Sequence, residues 1–320
     1  MKKPYKVVID LLGSDKGPEE ILEGARLALE AFPNVNVILV GPEEVIKNAN
    51  LPEGRYEIIH SDNTITNLDN AAESFYKKKD ASIFKAFEEA GKNDDVIGVI
   101  NAGNTGAVLV SSVRYLLDEN RTRPCLAAVL PTIKGGFTCI VDTGASIDCG
   151  SAQLVEFAHL GSAFMKKLYK IESPRVALLS NGAEPTKGNK LVKETHHLLA
   201  EDTTINFVGN IEANKALSGD CDVIVTEGFA GNQVLKASEG MATNLITDIV
   251  KFAKMNNNPA AMEIVGYLMK KYDFASLGAG IVLGSKKTVL KCRGSSDRTS
   301  IKNSIHMLLN MMENKTFYEE

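Results

Sequence analysis

The sequence carries no surplus of positive charge. Of its 320 residues, 36 are Lys or Arg and 40 are Asp or Glu, a formal net charge of −4. A general nucleic-acid binder is excluded as a first reading, because such chains are usually strongly basic. Long apolar runs are missing too: no stretch approaches the ~20 residues that a membrane-spanning helix needs. The opening MKKPYKVVID passes at once from a basic pair into a strand-like run with an acid, without the apolar segment and cleavage site of a secretory leader. Cysteine is sparse and odd in number: Cys125, Cys139, Cys149, Cys221 and Cys292 are scattered. They form no C-x-x-C pair and no Cys/His cluster with zinc-like spacing, so neither a disulfide framework nor a structural metal is expected. A reduced, cytoplasmic protein is the simplest account. The phosphate-cradling G-x-x-x-x-G-K-S/T loop and the dinucleotide G-x-G-x-x-G are absent at the strand–helix turns, which leaves a nucleotide cofactor unsupported. The glycine-flanked serine of hydrolases is absent as well. There is no internal repeat and no low-complexity tract.

What remains is an ordinary globular composition, 44% hydrophobic and 24% charged, arranged in alternating strand-like and helix-like segments. Val7–Asp10 reads as a strand, followed by the turn Gly13–Gly17. Pro18 suits the first position of a helix, with Glu19 and Glu20 near its positive end. Ile21, Leu22, Ala25, Ala28, Leu29 and Phe32 recur at helical spacing, and Val35–Val40 returns as a strand. Further strands are predicted at Glu57–Ile59, Val96–Ile100, Leu126–Leu130, Thr138–Val141, Arg175–Leu179, Ile205–Val208, Asp222–Thr226 and Thr288–Lys291. Helices fit Ala81–Gly91, Thr105–Leu117, Ser151–Tyr169, Asn189–Glu201, Asn232–Lys254, Ala260–Tyr272 and Ser296–Met312. This alternation predicts an α/β fold with a mostly parallel sheet covered by helices on both faces. The length allows two domains or one large one, and with no clean linker any boundary is soft; one large domain over 1–320 is the expectation, with a helical hairpin inserted at 232–275.

Ligands of parallel sheets bind at the carboxyl ends of the strands. Five polar, glycine-containing turns fall there: Asp10–Asp15, Asn101–Gly106, Asp142–Asp148, Ser180–Asn189 and Glu227–Asn232. One such turn is ordinary loop chemistry; five suggest a shared polar cleft. The turn holding Asn104, Thr105 and Gly106 opens a helix, so free N–H groups and a positive dipole end make it an anion site, or Asn104 and Thr105 only cap the helix. Lys187, beside Gly188 and Asn189, can offer an ammonium to a phosphate or a developing oxyanion, or be a solvated surface lysine. Asn232 can donate an amide N–H to a carbonyl oxygen or cap the next helix. His60, His159, His196, His197 and His306 sit in no ligand-like pattern. Cys125 and Cys139 are thioester nucleophiles in principle, but their apolar runs favour packing.

Taken in order, these stretches resemble the bacterial phosphate acyltransferases of phospholipid synthesis (the PlsX family). The matching pieces are Asp10–Asp15 (DLLGSD) with Pro18, Lys77–Asp80 (KKKD), Ala102–Ala107 (AGNTGA) and Arg123–Pro131. They continue with Asp142–Asp148 (DTGASID), Asn181–Asn189 (NGAEPTKGN), Ile205–Asn210 (INFVGN), Glu227–Asn232 (EGFAGN) and Gly294–Asp297 (GSSD). The chain departs from the family's pattern at Ser14, Lys16-Gly17, Ser180–Glu184, Glu227 and Arg293. The resemblance implies a Rossmann-like fold of three α/β/α layers related to isocitrate dehydrogenases and phosphate acetyltransferases, and a homodimer whose helical hairpins form a bundle. It implies transfer of a fatty acyl group from acyl-acyl-carrier-protein to inorganic phosphate, with no metal or organic cofactor. The acyl-phosphate would pass to a glycerol-3-phosphate acyltransferase in the membrane.

Phosphate is itself the nucleophile of such a reaction, in keeping with the missing triad. On that reading Asn104, Thr105 and Gly106 bind phosphate. Lys187 and Asn232 stabilise oxyanion or phosphate, Gly188 and Asn189 bind phosphate or substrate beside Lys187, and Asp15, Asp142 and Ser295 orient the bound groups. Residues 250–275 are expected either to touch the inner membrane face peripherally or to serve only the subunit interface. An acidic carrier protein would be met by the basic clusters Lys77–Lys79, Arg121 with Arg123, and Lys286 with Lys287. Related acyl-thioester chemistry (phosphate acetyltransferase, or the acyl-phosphate-forming subunit of glycine reductase) and a non-catalytic lipid-synthesis scaffold are the alternatives.

Overall fold

The structure is a computed structural model; it describes residues 3–117, 123–272 and 279–313. The chain forms two compact units, Met1–Leu126 with Gly278–Glu320 and Ala127–Leu277. The hairpin expected at 232–275 belongs to the second.

The first unit opens with β1 (Tyr5–Asp10), α1 (Pro18–Ala31), β2 (Val35–Gly41), α2 (Glu43–Lys47) and β3 (Tyr56–His60). It continues with α3 (Ala71–Lys77), α4 (Ser82–Lys92), β4 (Val96–Asn101) and α5 (Thr105–Leu116). β1 lies parallel between β2 and β4, and β3 extends the sheet beyond β2. The chain therefore moves one way from β1 to β2 and the other way from β3 to β4. Right-handed crossovers in opposite directions put their helices on opposite faces. The carboxyl ends of β1 and β4 flank the point where the order reverses, the usual ligand position of such sheets. β1, buried from Val7 to Asp10, and β2, whose Val37–Gly41 are buried, are nearly continuous apolar runs, because helices cover both faces.

The second unit contains most of β5 (Cys125–Pro131), then β6 (Phe137–Val141), α6 (Ser151–Tyr169), β7 (Arg175–Ser180), α7 (Lys190–Glu201) and β8 (Asn206–Glu212). A 3₁₀ turn at Ala213–Lys215, β9 (Val223–Val225), α8 (Gly228–Met255) and α9 (Pro259–Lys271) complete it. β6 and β5 are antiparallel, while β6, β9, β7 and β8 run parallel in that order. Returning to the first unit, β10 (Ala279–Leu283) pairs antiparallel with β11 (Thr288–Cys292), and β11 lies parallel to β4. α10 (Arg298–Met312) then packs on α1.

The mostly parallel α/β sheet with flanking helices is as expected, with two antiparallel pairs added. Short elements escaped the sequence reading: α2 (EEVIK) and α3 (AAESFYK) span no more than two helical turns, and β10 (AGIVL) opens on Ala-Gly, which are poor strand formers. One boundary differs in a way that matters. Glu227–Asn232 reads as a glycine turn, yet α8 already begins at Gly228, and the Glu227 carboxylate caps it by accepting the N–H groups of Phe229 (2.5 Å) and Ala230 (3.1 Å). Asn232 therefore sits inside the helix and does not cap it. The basic clusters are partly neutralised: Lys77 pairs with Glu73 at 2.7 Å and Lys78 with Asp69 at 2.9 Å. Arg121 lies outside the described residues.

Candidate active site

In the first unit three turns follow the neighbouring parallel strands β1, β4 and β11. Asp10, the last residue of β1, is buried with its carboxylate turned inward. It accepts the Asn101 amide at 2.7 Å and the Leu12 N–H at 3.1 Å, and Asn101 in turn accepts the Gly103 N–H at 2.8 Å. The first two turns are thereby locked to each other. Gly13 stands at φ +88°, and a Cβ there would meet Gly103 Cα at 2.9 Å, so only glycine serves. Asn104 caps α5 by accepting the Ala107 N–H at 2.9 Å, and its own amide holds Thr66 O at 2.9 Å. That leaves the N–H groups of Thr105 and Gly106 in the first turn without intrahelical partners, pointing out of the positive end of the dipole.

The third turn brings the departing motifs together. Gly294 O accepts both the Asp15 N–H (2.9 Å) and the Ser14 hydroxyl (3.1 Å). Asp15 and the altered Arg293-Gly294 stretch are thus neighbours, and Ser295 is exposed beside them. Lys291, at the end of β11 and in register with Asn101, is a residue the sequence reading missed. Burial pushes its ammonium below the ordinary lysine value, against the nearby Asp15 charge, and it donates to Cys292 O. The signal was present in TVLKC: a lysine closing an apolar strand points to a cation held at a strand end.

Burial also pushes the Asp10 carboxyl up from 3.8 to about 6, with its hydrogen bonds pulling the other way. A raised carboxyl keeps its proton in the folded chain after the unfolded chain has lost it. Its contribution to stability is full below pH ~4 and is lost as pH rises through about 6. The roughly two-unit shift corresponds to about 3 kcal/mol. Urea unfolding of the protein and of Asp10→Asn should therefore show the wild type losing about that much relative to the variant between pH 4 and 6.5. A pH-independent difference would refute the assignment.

In the second unit the turns after β6, β9 and β7 share one sheet edge, since Val141 and Leu178 both stand in register with Val225. Asp142 is fully buried, and both of its carboxylate oxygens are engaged. Oδ1 accepts the N–H groups of Gly144 (3.2 Å) and Ala145 (3.0 Å), and Oδ2 that of Ser146 (2.5 Å). It orients its own turn. Asn232 Nδ2 donates to Thr143 O at 3.0 Å, tying α8 to that turn. Its second amide hydrogen and its carbonyl oxygen have no partner among the described residues. Lys187 is exposed, its stem lies against Gly182, and its backbone N–H donates to Glu184 O at 3.0 Å. Among the described residues its ammonium has no ion pair. Asn189 caps α7 by accepting the Val192 N–H at 2.9 Å, with Gly188 just before it. The Asn181–Asn189 loop is braced from β8: the Asn210 amide donates to Glu184 O and its carbonyl meets His196 Nδ1, each at 2.9 Å. This accounts for the INFVGN stretch and for one of the two adjacent histidines.

The five predicted turns thus fall into two sets, two in the first unit, joined by 293–295, and three in the second. The cysteine nucleophiles find no support: Cys125 and Cys139 are buried, and burial pushes the Cys139 thiol up to about 12. No group of three or more His, Cys, Asp or Glu suited to a metal ion occurs among the described residues.

The α/β fold of this chain is shared with solved phosphotransacylases. A branched-chain phosphotransacylase from Enterococcus faecalis V583 superposes over 96% of this chain and 98% of its own, with a TM-score of 0.62 at 17% identity. An isocitrate dehydrogenase from Methylococcus capsulatus, at 10% identity, gives 0.50 over 97% and 86%. At these identities the likeness is one of fold. The family is decided by sequence. Residues 5–318 match the fatty acid synthesis protein family, and the chain belongs to it. It is 35% identical to a phosphate acyltransferase of Thermoanaerobacter pseudethanolicus over 97% of this chain and 94% of that one. It is 36% identical to one of Staphylococcus aureus (strain MSSA476), over 94% and 92%.

Proposed function

We propose that this protein transfers an acyl group from a thioester donor to inorganic phosphate, forming an acyl-phosphate for phospholipid synthesis. The observation that carries this is the 35–36% identity to phosphate acyltransferases along almost the whole chain. A phosphate oxygen attacks the thioester carbonyl, a tetrahedral oxyanion forms, and the C–S bond breaks to release the thiol. No protein nucleophile is required. The work left to the protein is to bind a multiply charged anion and to stabilise the oxyanion. We assign phosphate to the α5 start at Asn104, Thr105 and Gly106, with Lys291 as the half-buried cation nearby in the sheet. Lys187 and Asn232 are the donors for the oxyanion or for phosphate, held by the turns of Gly188, Asn189 and Asp142. Asp15 and Ser295 orient.

The donor we favour is acyl-acyl-carrier-protein, and the consumer of the product a glycerol-3-phosphate acyltransferase. The two units act as one functional domain, and the protein as a homodimer. No described helix is long and apolar enough to cross a membrane. On the hairpin, however, Phe252, Met255, Ile264 and Tyr267 are exposed beside Lys251, Lys254, Lys270 and Lys271. That surface suits a partner hairpin or an anionic lipid face; co-sedimentation with anionic vesicles supports the lipid, and its absence leaves the hairpin to the subunit contact.

The decisive experiment incubates the protein with phosphate and hexadecanoyl-acyl-carrier-protein, with hexadecanoyl-CoA and acetyl-CoA in parallel, and traps acyl-phosphate with hydroxylamine. Phosphate-dependent hydroxamate from the carrier-protein donor is the expected result. Hydroxamate from acetyl-CoA alone would identify a phosphate acetyltransferase, and none from any donor would sink the enzymatic reading.

A further inference from the structure

The brace on the Asn181–Asn189 loop depends on an irregularity in β8. Phe207 and Asn210 are three residues apart, so on a regular strand their side chains would point to opposite faces. Both instead meet His196 of α7: the Phe207 and His196 ring centroids are 5.1 Å apart, and the Asn210 carbonyl lies 2.9 Å from His196 Nδ1. A bulge makes this possible. Val176 and Leu178 of β7 stand in register with Phe207 and Asn210, so β8 carries one extra residue between them, and Gly209 there takes φ +96°. Bulges re-aim side chains and are over-represented beside active sites.

The re-aimed side chain has a defined task. A backbone carbonyl can only accept, so the Asn210 amide nitrogen faces Glu184 O, at 2.9 Å. Its own oxygen then faces His196, whose Nδ1 must carry the proton. Glu184 O also accepts the Lys187 N–H at 3.0 Å. His196 therefore fixes Asn210, Asn210 fixes the carbonyl, and the carbonyl fixes the backbone from which Lys187 projects. The Lys187 stem is guided separately. Gly182 is buried, and a Cβ there would come within 2.7 Å of Lys187 Cγ. We propose that Asn210 and Gly182 are positioning residues for Lys187, Asn210 through the loop backbone and Gly182 by leaving room for the stem. This rests on the role of Lys187 in acyl transfer and extends it to the residues that aim its ammonium.

Acyl-phosphate formation is measured in Asn210→Ala, Asn210→Asp and Gly182→Ala, each alone and each combined with Lys187→Met. Aspartate keeps the shape of asparagine and loses the donor. Both Asn210 variants should therefore lower kcat/KM about tenfold or more, as a misaimed reacting group does. Gly182→Ala should do the same by displacing the stem. Once Lys187 is methionine, none of the three should cost more than about a further twofold, because a residue that acts through Lys187 has nothing left to aim. Equal losses with and without Lys187, or no loss in the single variants, would overturn the proposal. The Lys187–Gly188 bond is also a trypsin site, and its cleavage, followed by mass spectrometry, reads the brace without reference to activity. Asn210→Ala should speed cleavage there about fivefold, the scale of one lost hydrogen bond. An unchanged cleavage rate would overturn the part assigned to Asn210. A wild type that forms no acyl-phosphate, with cleavage accelerated in Asn210→Ala, would discard the reaction and keep the brace. Acyl-phosphate formation at an unmoved rate in all three variants would do the reverse.

Discussion

Lys187→Met is expected to lower turnover in acyl-phosphate formation by about 10²–10³-fold, the scale of losing one donor to a developing oxyanion. The side chain is exposed and its ammonium has no ion pair among the described residues, so the unfolding midpoint should stay where it is. Methionine keeps the stem against Gly182 and removes only the charge. If kcat falls with KM for phosphate unchanged, the ammonium acts on the transition state. If KM for phosphate rises alone, it acts as a binding cation. Near-normal rates would remove Lys187 from the mechanism. Asn232→Ala should also lower turnover, but with a small cost in stability, because its amide holds Thr143 O.

The largest effect on stability is expected from Gly231→Ala. A Cβ at Gly231 would lie 1.9 Å from Asp142 O and 2.8 Å from the Thr226 methyl. Backbone cannot yield at that distance, so α8 or the Asp142 turn must move, at a cost of about 3 kcal/mol or more. Gly240→Ala on the same helix meets nothing within 4 Å. It should stabilise by up to about 1 kcal/mol, the ordinary helical advantage of alanine. Opposite signs in urea denaturation would show that α8 and the Asp142 turn are one rigid fitting. A mild effect at Gly231 would show that the turn is adaptable, and would weaken the placement of Asn232.

The parts of this protein that were legible in the sequence are the periodic ones. β1, β2, β4 and β11 are short β-branched runs, and α1 and α4 bury a stripe at helical spacing. Their order alone implies a parallel sheet with covered faces. Short elements such as α2 and β10 were not legible: α2 (EEVIK) is little more than one helical turn, and β10 (AGIVL) opens on Ala-Gly, which are poor strand formers. Lys291 was overlooked for a different reason. A lysine at a strand end looks like solvent contact until the neighbouring strand and the Asp15 turn enclose it. Asn232 was found but misplaced, since glycines in EGFAGN suggest a turn. The Glu227 cap and the close contact of Gly231 with Asp142 explain them as the start of a tightly packed helix.

By itself the sequence determined the fold class, the strand-end position of the polar turns and the family, because periodicity and ordered motifs are local properties that survive in one dimension. Tertiary structure decided which turns meet, that Asp10 and Asp142 spend their carboxylates on holding their turns, that Lys291 is half-buried, and that Asn232 lies inside α8. Those outcomes depend on which strands lie side by side and on how closely two backbones approach, and neither distance is written in the order of the residues.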